Sequence, residues 1–230
     1  MTDRLRIILW FVGVIVIFLG GFVYARYVPT RYNLFKPVDI LEKPGLLTGA
    51  KLALTGGEAC FAALDRGGIK YTRLPDQTRD GRCHFRNVVR LDQSMVPWNG
   101  EVTLTCPMML RLAIWERHSL VAGAKRYLDA DVVSVTHYGT YSCRNINNAA
   151  RGQLSEHGRA NAIDIAAFQL ADGREISVSR HWHGQKQERQ FLNSLHNEAC
   201  GYFATVLGPD YNALHKDHFH FDHGGFSACR

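Results

Sequence analysis

The chain has 230 residues, of which 46% are hydrophobic and 21% charged, a composition that argues against intrinsic disorder and allows a sizeable core. Its length suits one domain of ordinary size with additional segments. The net charge of +6 is diffuse, without the concentrated basic patch typical of nucleic-acid-binding proteins, so we expect no nucleic acid partner.

The N-terminus carries an uncharged apolar run over residues 7–25. As a helix that rises about 1.5 Å per residue, this run would extend roughly 28 Å, enough to cross the hydrocarbon core of a bilayer. We therefore predict a membrane anchor over residues 1–26. The alternative is a cleaved signal peptide, because residues 23–25 weakly resemble a cleavage site, although the run is longer than a usual signal sequence.

The six cysteines all follow this apolar run. Their even number, their wide spacing and the lack of a CxxC motif favour disulfides, which require an oxidising compartment outside the cytoplasm. Six buried free thiols are the alternative. Sequential pairing is weakly preferred because nearby partners meet most easily. It would give the pairs Cys60–Cys83, Cys106–Cys143 and Cys200–Cys229.

Residues 27–50 contain several prolines and little periodicity, which predicts a linker between the anchor and a domain over residues 51–230. In the first part of that domain, GEACFAALDR predicts a short helix that ends at Gly67 and Gly68. The stretch TRLPDQTRDGRCHF is rich in turn-forming residues. A longer helix is predicted after Pro107, where apolar residues follow a helical stripe.

The rest of the chain is predicted to combine strands with one further helix. DVVSVTHYG is typical of a strand, and Asp172 with Gly173 predicts a hairpin between NAIDIAAF and EISVSRHW. The segment ERQFLNSLHNEACGYFATVL predicts a helix. Its buried face would comprise Phe191, Leu195, Ala199, Phe203 and Val206. Helices that come first and strands that follow indicate the α+β class.

The segment DHFHFD predicts a short strand with two histidines on one face. Because side chains alternate along a strand, His218 and His220 would project side by side while Phe219 and Phe221 enter the core. Imidazole is a common metal ligand and a natural acid or base near pH 7. The pair therefore marks a candidate site.

A second candidate group lies in SEHGRANAIDI. Asp164 stands in a stretch whose alternation predicts a strand, and the loop that carries His157 can fold back beside it. With one histidine of the final strand, they would give two imidazoles and one carboxylate, the open three-ligand set of a catalytic zinc site. Zinc lowers the pKa of bound water to roughly 7, and a nearby base then moves the proton to the leaving group. The alternative is that these polar residues are structural.

Several segments resemble known families. SEHGRANAID resembles the Ser-x-His-x6-Asp signature of the zinc peptidases that cut D-amino-acid-containing peptidoglycan peptides, a group that shares its fold with the hedgehog signalling domain. HFH resembles their closing His-x-His, whereas Ala160 stands where their pattern often has glycine. YSCRNIN, SEHGRANAIDI, ACGYFATVLGPDYN and HKDHFHFD resemble motifs of the bacterial extensin-like C-terminal domain family. That second resemblance covers residues 60–230.

The resemblance implies a hedgehog/DD-peptidase-like zinc peptidase fold, with a small antiparallel sheet packed by helices. It implies that His157, Asp164 and His220 bind Zn²⁺. His218 would be the catalytic base or a stabiliser of the transition state. Asp217 is the alternative base, because some relatives use a glutamate shortly before the last ligand.

Three further residues are candidates for supporting roles. Arg144 falls where the peptidases carry an arginine, and its guanidinium can hold a substrate carboxylate or carbonyl. Ser155 is interpreted as a hydrogen-bonding support, and Asp222 as a partner that orients a ligand histidine. The pair His181 and His183 is interpreted as structural.

The function that the resemblance implies is a zinc-dependent hydrolase of peptidoglycan cross-links or stem peptides, acting as a carboxypeptidase or an endopeptidase. The protein would be a single-pass inner-membrane protein with its C-terminal domain in the periplasm, and its partners would be peptidoglycan peptides and that membrane. The alternative is a non-catalytic, zinc-containing module that binds the cell wall, since a fold does not dictate a function. A third hypothesis is a disulfide-stapled protein whose histidines are structural.

Overall fold

The computed structural model describes residues 3–79 and 81–230 of the chain. Residues 1–2 of the predicted anchor and residue 80 of the predicted domain lie outside this part. The α-helices are α1 (Asp3–Tyr27), α2 (Thr48–Leu54), α3 (Gly57–Arg66), α4 (Cys106–Trp115), α5 (Ala122–Leu128), α6 (Val178–His181) and α7 (Lys186–Ala199). A π-helical segment, Glu116–Val121, joins α4 with α5.

The strands of the described chain form three small sheets. They are β1 (Lys70–Arg73), β2 (Gln77–Arg79), β3 (Cys83–Phe85), β4 (Val88–Gln93), β5 (Thr103–Thr105), β6 (Val132–Gly139), β7 (Ala162–Leu170), β8 (Glu175–Ser177), β9 (Thr205–Leu207), β10 (Phe219–Asp222) and β11 (Ala228–Cys229). The largest sheet has the order β11-β9-β10-β7-β6, with β8 also paired to β7. The other sheets are β1-β4-β5 and β2-β3. Neighbouring strands are antiparallel except β9 and β11.

This architecture confirms the mixed α+β class with small antiparallel sheets. The hairpin predicted at Asp172 and Gly173 is confirmed, because β7 pairs with β8 across it. The expected order of helices first and strands later is wrong, since β1 to β5 lie between α3 and α4. The last helix is also shorter than predicted: it ends at Ala199, so that Phe203 follows the helix and Val206 lies in β9.

Helices cover one face of the largest sheet and enclose an aromatic core. Phe219 and Phe221 of β10 are fully buried there, as the alternation along the strand predicts. The Trp115 ring of α4 lies 5.4 Å from the Phe221 ring, centroid to centroid. Burial of each large apolar side chain contributes about 1.5–3 kcal/mol to folding. The opposite face of β7 and β10 is thereby left to the polar side chains of these strands.

Helix α1 is apolar around its whole circumference and has no buried residue. It is long and apolar enough to cross a membrane, a property that a signal sequence near the N-terminus shares. The segment between α1 and α2, predicted to be a linker, lies against the domain. Val38 and Ile40 of this segment are buried in the main core.

Three disulfides join the six cysteines. The pairs are Cys60–Cys106, Cys83–Cys143 and Cys200–Cys229. Sequential pairing is thus confirmed for the last pair and wrong for the first four cysteines. The physical reason is that α3 packs on the start of α4, while β3 lies beside the loop after β6. Spatial neighbours therefore differ from sequence neighbours in this half of the chain.

A buried carboxylate anchors the loop that runs beside β6. Glu116, the first residue of the π-helical segment, accepts hydrogen bonds on one oxygen from Ser94 Oγ (2.8 Å), from the Val96 amide (2.9 Å) and from Trp98 Nε1 (3.3 Å). Burial raises the pKa of Glu116 above its usual value, although these hydrogen bonds act in the opposite direction. The loop in turn pairs with Val135 of β6.

Replacing Glu116 with Gln should make the stability of the protein less dependent on pH. Because the folded pKa is raised, Glu116 contributes stability that is present below its unfolded pKa of 4.5 and is lost as the pH rises through the folded pKa. Glutamine does not titrate, yet it keeps an oxygen for the three donors. Thermal unfolding in detergent from pH 4.5 to pH 8 would measure this, with exposed Glu58→Gln as the control.

The stability of Glu116→Gln relative to the wild type should rise with pH over that window, whereas Glu58→Gln should follow the wild type. Glu116→Ala should instead lose about 1–3 kcal/mol at every pH, because it leaves the buried Val96 amide without its acceptor. Parallel pH profiles for wild type and Glu116→Gln would contradict the assignment.

Candidate metal centre

The site is built on the polar face of two neighbouring strands. Asp164 of β7 and His220 of β10 are directly opposite each other in the antiparallel ladder. Side chains of such a cross-strand pair lie on the same face and within contact distance. The register of β7 and β10 therefore brings a carboxylate and an imidazole together, although they are far apart in the sequence.

A short helical turn before β7 brings in a third group. His157 lies in the 3-10 helix Glu156–Arg159, and Ser155 caps this helix by accepting a hydrogen bond from the His157 amide at 3.3 Å. This contact fits the support predicted for Ser155. Gly158 is tightly enclosed, since a Cβ atom there would lie 2.9 Å from Leu154 and 3.1 Å from the Cys83 sulfur. The turn that carries His157 therefore packs closely against Leu154 and the Cys83 sulfur.

Three side chains converge at one point. His220 Nδ1 lies 2.8 Å from Asp164 Oδ1, and His157 Nε2 lies 3.2 Å from Asp164 Oδ2. The two ring nitrogens that face the carboxylate are 3.3 Å apart. The structure therefore brings together the three residues for which metal binding is predicted, with all three ligand atoms within 4.8 Å of one another.

The second nitrogen of His220 also has a carboxylate partner. His220 Nε2 lies 3.1 Å from Asp222 Oδ2, and Asp222 Oδ1 accepts a hydrogen bond from the Gly224 amide at 2.8 Å. Asp222 lies where a partner of a ligand histidine was expected. Such carboxylate partners fix the orientation of a metal-binding imidazole and raise its basicity.

The electrostatics of the cluster favour a positive charge. Burial by itself would raise the pKa of Asp164, but hydrogen bonds and charges from His157 and His220 lower that pKa far below its usual value. Burial would likewise lower the pKa of His220, but Asp164 and Asp222 raise it to about 9. A site that stabilises a cation this strongly, with two nitrogen donors and one oxygen donor, fits a divalent metal ion.

His218 lies at the edge of this cluster, immediately before β10. Its Nε2 is 3.7 Å from Asp164 Oδ1, and its Nδ1 is 2.9 Å from Asp217 Oδ1. If the Nδ1 proton is donated to Asp217, the Nε2 lone pair faces the cluster. The exposed ring of Tyr138, at the end of β6, packs edge-on against His218 at a centroid distance of 5.6 Å.

Sequence reasoning missed His215, which the structure places beside the same cluster. Its ring centroid is 5.3 Å from that of His218 and 5.9 Å from that of His220. Burial is the main cause that lowers the pKa of His215 to about 4, and electrostatic effects of the neighbouring His220 and His218 act in the same direction while Asp164 opposes them. The spacing His-x-x-His-x-His in HKDHFH was the available signal.

Arg144 lies in the loop after β6, next to the Cys83–Cys143 disulfide. Its carbonyl accepts a hydrogen bond from the Ser155 amide at 3.0 Å, which ties this loop to the turn that carries His157. The charge of Arg144 acts on His215, so the guanidinium lies within electrostatic reach of the cluster.

The other candidate histidines have different surroundings. His181 Nδ1 accepts a hydrogen bond from the Ser177 amide at 2.9 Å, and His183 faces Asp210 on the surface. A second group of ligand-type residues joins His196 with Cys200 and Cys229. Those two sulfurs form a disulfide and therefore offer no thiolate to a metal.

Comparison with known proteins identifies a family for most of the chain. The family model described as Extensin-like protein C-terminus matches residues 58–230, so the chain belongs to this family. Every residue of the cluster lies within the matched region, whereas α1 and the segment after it precede it. No curated protein and no solved structure matches the chain.

Substitutions in the cluster should reduce metal affinity in a graded manner. Asp164→Asn and His220→Ala each remove a ligand and should abolish measurable binding. Asp222→Asn should weaken binding by about 10–100-fold, because it removes only the partner of a ligand. Calorimetric titration of the metal-stripped protein with Zn²⁺ or Co²⁺ would measure these effects, with exposed His183→Ala as the control. Wild-type affinity in Asp164→Asn would contradict the proposed ligand set.

Proposed function

We propose that this member of the extensin-like C-terminal family is a membrane-anchored, periplasmic zinc hydrolase that cuts amide bonds in peptidoglycan peptides. The observation that carries the proposal is the convergence of His157, Asp164 and His220, with a further imidazole beside them. A purely structural cluster would have little reason to gather so many ionisable groups at a partly open face of a sheet.

The donor set is the one that catalytic zinc sites use. His157 Nε2, His220 Nδ1 and one oxygen of Asp164 would hold the ion, in agreement with the resemblance of SEHGRANAID to zinc peptidases. A bound zinc ion supplies Lewis acidity and makes water a competent nucleophile near neutral pH. The hedgehog/DD-peptidase-like fold belongs to the same proposal and rests on the same motifs.

His218 is the proposed general base. Its hydrogen bond with Asp217 favours the tautomer whose Nε2 lone pair faces the cluster. Nε2 would accept the proton of the attacking water and then donate it to the leaving nitrogen, while Asp217 stabilises the imidazolium between these steps. Asp217 itself is the alternative base, because its carboxylate lies directly behind the ring.

Arg144 is the proposed substrate clamp. Its loop is joined to the His157 turn by a backbone hydrogen bond, so a group that it binds would be held at a defined position relative to the cluster. A guanidinium binds a carboxylate or a carbonyl with two parallel hydrogen bonds. A peptide with a free carboxylate would suit carboxypeptidase action, and an internal carbonyl would suit endopeptidase action.

The disulfides and the apolar helix support the proposed location. Disulfides form and persist mainly in oxidising compartments, and α1 is long and apolar enough to serve as the membrane anchor. The basic net charge of +6 suits a protein that works beside anionic surfaces. Together these features favour a domain held on the periplasmic side of the inner membrane.

His218→Ala should separate catalysis from metal binding. The variant should keep its metal, because His218 is outside the three-ligand set, and should lose about 10²–10⁴-fold in cleavage rate. Digestion of defined muropeptides followed by mass spectrometry would measure the products, with His183→Ala as the active control. Metal-loaded wild-type protein that binds muropeptides without cleaving them would instead support the wall-binding module.

Arg144→Ala should impair substrates with a free C-terminal carboxylate most strongly. Loss of a charge-assisted hydrogen bond costs about 1.5–3 kcal/mol, which corresponds to roughly 10–160-fold in kcat/KM. An amidated form of the same peptide distinguishes carboxylate recognition from carbonyl recognition, and Arg144→Lys tests the need for paired hydrogen bonds. Unchanged kinetics of Arg144→Ala on both peptides would exclude the clamp.

A further inference from the structure

The segment between α1 and α2 exposes large apolar side chains beside the end of the apolar helix. Phe35 is 81% exposed and Leu46 93% exposed, and Tyr27 and Tyr32 are exposed as well. We refer to Tyr27, Tyr32, Phe35 and Leu46 as the collar. Exposed apolar side chains of this size mark a surface that contacts a membrane or another molecule.

Contacts place the collar directly at the end of α1. The Phe35 ring packs edge-on against Tyr24 of α1 at a centroid distance of 6.0 Å, and the Tyr24 hydroxyl donates to the Tyr32 carbonyl at 2.7 Å. Gly45, next to Leu46, packs against Arg31, since a Cβ atom on Gly45 would lie 3.2 Å from the Arg31 Cβ. Tyr27, Tyr32 and Phe35 thus adjoin the helix that is proposed to span the membrane, and Leu46 follows a glycine that packs on the same turn.

Side chains of the same segment donate hydrogen bonds to backbone carbonyls at the C-terminal end of α1. The fully buried Asn33 donates from Nδ2 to the carbonyls of Tyr24 (2.8 Å) and Ala25 (3.3 Å). Lys36 Nζ donates to the Val28 carbonyl at 2.8 Å. Carbonyl groups at a helix end that receive such donors need no partner from water. These hydrogen bonds therefore fix the turn that follows α1.

A second set of contacts fixes this turn to the domain. Lys51 Nζ donates to the Thr30 carbonyl at 2.9 Å, and Arg66 donates to the Val38 carbonyl at 3.2 Å. His118 Nε2 contacts the Ile40 carbonyl at 2.8 Å, while the Ile40 side chain is buried in the core. These contacts join the segment that follows α1 to the core of the domain.

The charges around the collar favour the headgroup layer of a bilayer. Arg31 lies over the Tyr32 ring at 4.7 Å, and Arg26 lies over the Tyr27 ring at 5.9 Å. Tyrosine together with arginine at the end of an apolar helix is the composition found at membrane interfaces. Burial lowers the pKa of Lys51, and the nearby acidic residues Glu42 and Asp39 raise it in part.

We propose that the collar is a membrane-seating surface, which inserts into the headgroup layer and holds the catalytic domain on the bilayer at a fixed height and orientation. The proposal rests on the proposed membrane anchoring by α1. Its consequence is that the site works within a short, defined distance of the membrane, and that peptides of the wall layer next to the membrane are its substrates.

The test uses the full chain in nanodiscs with a fluorine label at one position at a time. Phe35 is replaced by 4-(trifluoromethyl)phenylalanine, and Phe226, an exposed phenylalanine of the C-terminal loop, provides the matched control. Phe18 in the middle of α1 reports on the anchor itself. Line broadening of the ¹⁹F signal is measured with nitroxide-headgroup lipid and, separately, with a water-soluble gadolinium chelate.

We expect the nitroxide-headgroup lipid to broaden the ¹⁹F signal at position 35 several-fold more than the signal at position 226. The signal at position 226 should instead be broadened by the water-soluble gadolinium chelate. Equal responses at 35 and 226 would overturn the seating surface while leaving the anchor intact, provided that position 18 is shielded from gadolinium. A gadolinium-accessible position 18 would overturn the anchor as well. If neither agent broadens the signal at position 35, the collar is covered by protein and not by lipid. That result would also overturn the proposal.

Discussion

The cross-strand pair of Asp164 and His220 is the constraint on which the site depends. Because side chains alternate along a strand, a shift of one residue between β7 and β10 would turn one member of the pair towards the core. The buried Phe219 and Phe221 prevent that shift, since it would move both rings out of the aromatic core and bring His218 and His220 into it. Burial of Phe219 and Phe221 on one face of the sheet thus fixes the relative positions of Asp164 and His220 on the other face.

The same pairing explains how the chain tolerates a charge cluster beside its core. An isolated buried carboxylate is costly, and Asp164 is stabilised because two imidazoles donate to it. Asp222 extends the arrangement by holding the far side of His220. In this way each ionisable group is the partner of another, and the cluster as a whole retains a preference for a cation. That preference is the physical argument for the proposed metal site.

Sequence reasoning captured the features that follow from local periodicity and missed those that follow from tertiary contact. The alternation in DHFHFD correctly placed Phe219 and Phe221 in the core, and Asp172 with Gly173 correctly marked a hairpin. In contrast, β1 to β5 are short and are separated by turn-forming residues, so they carry too little periodicity to be distinguished from loops. Disulfide pairing and the position of His215 depend on which segments pack together, and spacing alone contains little of that information.

The disulfide between Cys83 and Cys143 connects the chemistry of the site with the compartment in which the protein folds. Cys143 precedes Arg144, and the Cys83 sulfur packs against Gly158 in the turn that carries His157. This disulfide therefore adjoins both the proposed substrate clamp and one proposed ligand of the candidate metal centre. A chain that folded in a reducing compartment would lack this disulfide, and the loop and the turn would then be held to each other mainly by backbone hydrogen bonds. The proposed location of the domain across the membrane from the cytoplasm would place this cysteine pair in the oxidising conditions under which disulfides form.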